Sequence, residues 1–323
     1  MYNVNECKVR TGCKNEEWFE VETGVRQGSV LSPLLFITYL DRVIRLVKEE
    51  IPDLDGDIMV YADDLACWSE DERMLIRLVE SFARNLREAG LEMNVEKTKI
   101  MNVSRGEEDV IEIIVDGQRI QNVEQFEYLG GIFARGGGSV QEIEERMKKY
   151  GRTVRALYPI MKDRIIDLEV KKIVFNSILI PTLTYGSETW SVTTNEERRI
   201  EVAEMKVLRS MLGKTRRDRV RNDWIRERVG VTPVLIRVDS ARLRWWGHME
   251  RMPDVRIASR RWRWRVDGVR PRGRPKKRWM ECVEDSLRRH RLPTAQELME
   301  NGILHERPVW RNMTASLTGR RPN

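Results

Sequence analysis

The sequence predicts an α+β fold, with antiparallel strands and helices up to about residue 135 and a mostly α-helical remainder. Three observations carry this. Ile58-Met59-Val60-Tyr61 and Leu65-Ala66-Cys67-Trp68 are apolar runs around an acidic turn, Ala62-Asp63-Asp64, and read as a β-hairpin. The segments on either side repeat apolar residues at helical spacing. Past Gly136-Gly137-Gly138, the clearest flexible joint in the chain, the pattern turns helical.

Residues 7–10 and 18–22 read as two short strands joined by a polar turn at Gly12 to Glu16. The loop Gly24-Val25-Arg26-Gln27-Gly28 leads to Ser32-Pro33, an N-cap followed by Pro at the first helical position. The helix runs to about Glu50, with Leu35, Phe36, Tyr39, Leu40, Val43, Ile44 and Val47 on one broad apolar face. The acidic hairpin follows, with Val60-Tyr61 and Leu65-Ala66 expected as buried strand. A second amphipathic helix, about 71–89, stops at Gly90 as its C′ residue. Strand-like pieces come near 99–103, 111–115 and 126–133, the middle one closed by an Asp116-Gly117 turn. Helices are then expected over about 139–158, 167–180, 195–212, 222–229 and 234–250, with shorter ones near 276–290 and 294–300.

The charge is unevenly spread. Residues 1–203 carry 27 Lys+Arg against 37 Asp+Glu, and residues 204–323 carry 31 against 14, balances of −10 and +17 that sum to +7. That asymmetry is a footprint for a polyanion, and nucleic acid is the first candidate. Six of the ten tryptophans also lie past residue 240. Arg interleaved with Trp admits cation–π stacking on bases, or a Trp core covered by Arg stems. No run of apolar residues is long enough for a membrane span, and no secretory signal pattern opens the chain. The expected location is therefore intracellular, in cytoplasm and nucleus. Cys7, Cys13, Cys67 and Cys282 lack C-x-x-C spacing, and Cys282, His290 and His305 do not complete a knuckle, so no zinc is expected.

Adjacent Asp63 and Asp64 repel each other unless a cation lies between them, and magnesium suits carboxylates that share it with substrate phosphates. Asp also favours turns for local hydrogen bonding, which is the competing explanation. Four ordered motifs extend the pattern. Tyr61-Ala62-Asp63-Asp64 resembles the YxDD signature of reverse transcriptases. Gly24-Val25-Arg26-Gln27-Gly28-Ser29-Val30-Leu31-Ser32-Pro33-Leu34-Leu35-Phe36 resembles the motif before it in non-LTR (LINE-type) retrotransposon polymerases. Gly90-Leu91 through Asn94, with Lys97 and Thr98, resembles the next palm motif, and Phe126-Glu127-Tyr128-Leu129-Gly130 the primer grip. Trp245-Trp246-Gly247-His248 and Arg272-Gly273-Arg274-Pro275 resemble the C-terminal region of many such proteins.

The resemblance implies a partial palm over 1–135, a helical thumb over 136–215, and a basic nucleic-acid-binding region over 216–323. It implies RNA-directed DNA polymerase chemistry with an RNA template, a DNA primer or target, deoxynucleotides and a Mg²⁺ pair. Asp63 would bind the metals with Asp64 beside it as the weaker ligand. Arg26, Gln27 and Gly28 would line the nucleotide pocket, Lys97 would neutralise the departing pyrophosphate, and Tyr128, Leu129 and Gly130 would press on the primer end. The family carries a further metal-binding Asp on a palm strand upstream of the Gln-Gly motif, and no Asp precedes Gly24 here. The expectation is therefore a C-terminal fragment, inactive by itself. The rival readings are a non-catalytic nucleic-acid-binding remnant using thumb and tail, and a decayed reading frame. Pro271-Arg272-Gly273-Arg274-Pro275-Lys276-Lys277 resembles an AT-hook core, in which Arg side chains lie in a narrow minor groove. A basic linker or nuclear-import signal is the alternative.

Overall fold

Helix α1 (Ser32–Glu50) starts at the Ser-Pro pair, but Leu31 rather than Ser32 holds the N-cap position. The Ser32 hydroxyl instead donates to the Arg26 carbonyl at 2.6 Å, tying the preceding loop to the helix. The structure is a computed structural model that describes residues 5–7, 19–21, 24–26, 28–54, 56–103, 110–263 and 277–319. It divides into two compact units, Met1–Glu124 and Gln125–Asn323.

In the first unit, β1 (Asn5–Cys7) pairs antiparallel with β2 (Phe19–Val21), so the two predicted strands form, the first of them earlier than expected. The turn expected at Gly12 to Glu16 lies outside the described residues. Leu40, Val43 and Val47 of α1 are buried against Leu78 and Phe82 of α2 (Glu72–Glu88). Leu35 and Tyr39, placed on the same face by sequence, stay exposed, so the buried stripe is narrower than its apolar pattern. Asp71 caps α2 by accepting from the Arg73 amide at 3.2 Å. Gly90, at φ +70°, ends it as predicted: its amide bonds to Arg87 and the Leu91 amide to Leu86, a Schellman closure. Glu50 joins the two helices, accepting from Ser81 Oγ at 2.5 Å and Asn85 Nδ2 at 3.1 Å.

The acidic hairpin is β3 (Asp57–Tyr61) and β4 (Asp64–Trp68). Short pairings follow: β5 (Lys99–Ile100) with β8 (Gln121–Asn122) in parallel, and β6 (Ile114–Val115) with β7 (Gln118–Arg119) around Asp116-Gly117. Both turn residues have positive φ, as a two-residue type I′ turn requires. Of the strand expected over 99–103, only its first two residues pair. Ile100, Ile111, Ile113, Val115 and Ile120 close a second small core on Val79 of α2.

The second unit opens with β9 (Gln125–Tyr128) and β10 (Gly131–Ala134), an antiparallel pair. The single strand predicted over 126–133 is thus a hairpin, because Leu129 and Gly130 both take positive φ. Helices α3 (Val140–Lys162), α4 (Leu168–Val174), α5 (Ile180–Thr184), α6 (Thr194–Met211), α7 (Asn222–Val229) and α8 (Val234–Glu250) follow. A π turn at Phe175–Leu179 joins α4 to α5, so the helix expected to stop near 180 continues through Pro181. Then come α9 (Ile257–Arg263), α10 (Trp279–Arg289), α11 (Ala295–Glu300) and α12 (Arg307–Ser316), of which α9 and α12 were not anticipated. No helix among the described residues is long and apolar enough to cross a membrane.

Helices α3 to α7 and the start of α8 share one core; the rest of α8 packs a second with α10, α11 and α12. Trp246 and Trp310 are fully buried there, edge to face with centroids 5.8 Å apart. Trp279 packs against the same core and donates its indole N–H to the Glu188 carbonyl at 2.8 Å. Trp246 and Trp310 are therefore closed to bases, and Trp279 is half-buried against the same core. Trp262 and Trp264 lie where no side chains are described. A buried carboxylate stitches the helices. Asp239 accepts from Arg242 and Ser286 through one oxygen, and from Arg289 and His290 through the other, at 2.8–3.1 Å. Four partners on one carboxylate satisfy the charges that burial would otherwise penalise.

Candidate active site

Tyr61 and Asp64 are register partners, so only Ala62 and Asp63 form the hairpin turn. Ala62 sits at φ +54°, a position that two-residue hairpins with one positive-φ residue normally give to glycine. Asp63 and Asp64 are both exposed at this tip. Pairing sets the faces. Ile58, Leu65 and Cys67 pack against the α1–α2 core, and burial pushes the Cys67 thiol up to about 11. Asp64 shares the opposite face with Met59, Tyr61, Ala66 and Trp68, because side chains alternate along a strand. Val60 and Tyr61 were expected to be buried and are exposed, Tyr61 by 65%. The core behind the acids thus takes in Ile58, Leu65 and Cys67, while Val60 on that face and Tyr61 on the other are exposed near the carboxylates.

In the preceding loop the Ser29 amide bonds to the Arg26 carbonyl at 3.2 Å, a turn with Gly28 at φ +83°. No atom lies within 4 Å of where a Gly28 Cβ would be, so its dihedral, not space, demands glycine. Arg26 is exposed, and Gln27 lies outside the described residues. Lys97 is exposed on a turn closed by Asn94, which accepts from the Lys97 amide through its side chain and from Thr98 Oγ1 through its carbonyl.

The second hairpin belongs to the other unit and is held rigidly. Tyr185 donates its hydroxyl to the Leu129 carbonyl at 2.8 Å, and its ring packs beside Gly130. Arg146 donates to the Gly130 carbonyl at 2.7 Å, lies 4.6 Å over the Tyr185 ring and bonds to Glu142 at 3.1 Å. Glu142 in turn accepts from the Ile132 amide at 2.5 Å.

The sequence profile of the family described as reverse transcriptase (RNA-dependent DNA polymerase) matches residues 2–133, a span that contains the acidic hairpin, the Gln-Gly loop and nearly all of the second hairpin. Over these residues the chain is similar to reverse transcriptases. It is 28% identical over 241 residues to a transposon-derived protein of Caenorhabditis elegans, covering 70% of this chain and 84% of that one. It is 33% identical over 147 residues to the Pol polyprotein of retrotransposable element R2 of Nasonia vitripennis, covering 41% and 14%. The RNA-directed DNA polymerase of mobile element jockey of Drosophila funebris is 22% identical over 213 residues, covering 62% and 23%. The chain thus spans most of the worm protein and under a quarter of either polymerase. These polymerases are of the non-LTR kind.

Reverse transcriptases use divalent metal ions, and the donors present fit one: Asp63 and Asp64 offer hard oxygen ligands on a turn open to solvent. Among the described residues no group of three or more His, Cys, Asp or Glu could hold a metal, and the hairpin tip carries two exposed carboxylates. Glu142, Arg146 and Tyr185 were missed by sequence reasoning. The Glu142–Arg146 pair at i, i+4 was legible as a helix-surface pair, but nothing local showed that it reaches back to a hairpin tip. In the basic tail, Lys277 pairs with Asp285 at 2.7 Å. Arg272, Arg274 and Lys276 lie outside the described residues, as does the AT-hook-like stretch before Lys277.

Proposed function

We propose that the chain carries the metal-binding hairpin of an RNA-directed DNA polymerase, with Asp63 and Asp64 holding Mg²⁺ ions. The carrying observation is the two-residue turn that sets both carboxylates on an exposed tip in front of a packed core. When bound, the ions would supply the charge stabilisation that in-line displacement at phosphorus needs. Within the chain, Arg26, Gln27 and Gly28 would receive the incoming deoxynucleotide through positive charge and close backbone approach. Lys97 would balance the charge leaving with pyrophosphate. Tyr128, Leu129 and Gly130 would press on the primer end, which requires a stiff hairpin. The clamp of Tyr185, Arg146 and Glu142 supports that role.

Two ions carry four positive charges, and the hairpin provides two carboxylates. A third carboxylate from outside the hairpin is therefore part of the reading. The test pairs Mn²⁺ binding, followed by electron paramagnetic resonance, with primer extension on an RNA template in Mg²⁺ and four deoxynucleotides. The 323 residues are expected to bind Mn²⁺, to lose that binding in Asp63→Ala/Asp64→Ala, and to extend no primer unaided. Metal binding unchanged in the double variant would remove the hairpin from the site. Extension that disappears in Asp63→Ala would show that no third carboxylate is needed.

A further inference from the structure

The segment between α5 and α6 holds buried polar atoms that none of the roles above uses. It makes one short 3-10 turn at Ser187–Thr189, entered by Gly186 at φ +74° and followed by Trp190. Ser187 and Trp190 are each 1% exposed. Among the described residues, neither the Ser187 hydroxyl nor the Trp190 indole N–H has a hydrogen-bond partner. The Nε of Arg146, in the hairpin clamp, is buried and unpartnered as well. Buried donors are nearly always paired, with protein or with ordered water, so orphaned ones point to a further partner.

Gly186 shows where that partner sits. A Cβ at this position would lie 3.9 Å from Glu142 Oε1 and 3.9 Å from Trp190 Nε1. Apart from Gly186 and its chain neighbours, no other atom among the described residues comes within 4 Å. The missing side chain thus leaves a small space between a donor without an acceptor and a carboxylate with capacity to spare. Glu142 accepts from the Ile132 amide through one oxygen and from Arg146 through the other, whereas a carboxylate offers about four lone-pair sites.

The chemistry of the walls selects the occupant. A cation would face the indole N–H and the Arg146 guanidinium, and an anion would face the Glu142 carboxylate. A neutral water accepts from the indole and donates to the carboxylate. The space takes one added atom at ordinary contact distance, which suits a single water.

We propose that a buried water in front of Gly186 bridges the Trp190 indole N–H to Glu142 and so ties the hairpin clamp to the helices behind it. Trp190 is anchored at its other end, where its carbonyl accepts from Arg242 at 3.4 Å. Arg242 belongs to the Asp239 cluster of α8 and α10. The bridge therefore links the Ile132 amide, through Glu142, water and Trp190, to a second core. Glycine at 186 answers two demands at once, a positive φ and room for the water. The proposal concerns how the hairpin is held, and it stands apart from the polymerase reading.

The experiment is nuclear magnetic resonance of the full chain with nitrogen-15 tryptophan, following magnetisation transfer from water to each indole N–H. Trp190→Phe identifies the Trp190 signal by its loss. In the wild type that signal is expected to show water cross-peaks of opposite sign in laboratory-frame and rotating-frame Overhauser spectra, the mark of a long-held water. Trp310, whose indole N–H is bonded to the Leu243 carbonyl at 3.0 Å, is expected to show none. Gly186→Ala puts a methyl group into the space and is expected to abolish the Trp190 cross-peak. It should also speed hydrogen exchange at the Ile132 amide by about two- to tenfold, the worth of one net hydrogen bond. Gly302→Ala carries comparable backbone strain, at φ +67° with no atom within 4 Å, and is expected to change neither readout. Ser187→Ala is expected to keep the cross-peak, which excludes relay through that hydroxyl. Should Gly186→Ala fail to fold, the wild-type and Ser187→Ala spectra decide alone. Absence of water transfer to Trp190 in the wild type would overturn the proposal. So would survival of the cross-peak in Gly186→Ala, its loss in Ser187→Ala, or an equal cross-peak at Trp310.

Discussion

Gly247 lies inside α8, where local helix propensity alone favours alanine by about 1 kcal/mol. Packing reverses the sign. A Cβ at this position would fall 2.2 Å from Trp310 Nε1 and 2.3 Å from its Cδ1. Trp310 cannot swing aside cheaply: it is fully buried, edge to face with Trp246, and bonded to the Leu243 carbonyl at 3.0 Å. Retreat to an ordinary 3.4 Å contact needs a shift of about 1.2 Å, which breaks that bond. Overpacking of this kind costs about 1–3 kcal/mol, and a stranded buried N–H adds about 1–3 kcal/mol. After the propensity gain, Gly247→Ala should lose about 1–5 kcal/mol, or about 2–20 °C at about 2–4 °C per kcal/mol in a unit of this size. The matched change is Gly151→Ala in α3, where no atom lies within 4 Å of the new Cβ. It should gain up to about 1 kcal/mol. Thermal melts of the full chain by near-ultraviolet circular dichroism compare the two. A Gly247→Ala protein that melts at or above wild type would refute the packing of the Trp-Trp-Gly stretch described here.

Two further outcomes follow from the hydrogen bonding. Ser81, then Asn85, hold the Glu50 carboxyl below its ordinary value of 4.5. A depressed folded pKa stabilises above the unfolded value and loses that stability as pH falls through the folded one. Urea midpoints of the wild type should therefore drop more steeply below about pH 4.5 than those of Glu50→Gln; parallel curves would show that the Glu50 bonds add nothing. Glu142→Ala removes the acceptor of the Ile132 amide and should speed its hydrogen exchange by about tenfold or more. Exchange at Met59 and Ala66, a hydrogen-bonded pair of the acidic hairpin, should stay unchanged; equal acceleration there would mean global loosening, not a local clamp.

The sequence by itself determined the features that local chemistry enforces. Apolar runs on either side of Ala62-Asp63 pair into a hairpin because a two-residue turn lets each strand residue find its partner. Gly90 and Asp116-Gly117 mark their helix end and turn because positive φ is cheap at glycine and tolerated at Asp. The carboxylate tip was legible for the same reason. Tertiary structure decided the rest. Leu129 resists positive φ, so only the clamp of Tyr185, Arg146 and Glu142, with Tyr185 56 residues away, turns an apparent strand into a hairpin. Tyr61 read as core from its apolar character, and whether a strand face is covered depends on what packs there; Val60 is exposed although it shares the face of Leu65. The tryptophans of the basic region left base stacking and a core both open until α8, α10 and α12 enclosed Trp246 and Trp310. The row of cations along α3 and α6 was hidden because a charge balance sums along the chain, while clustering in space depends on which helices pack side by side.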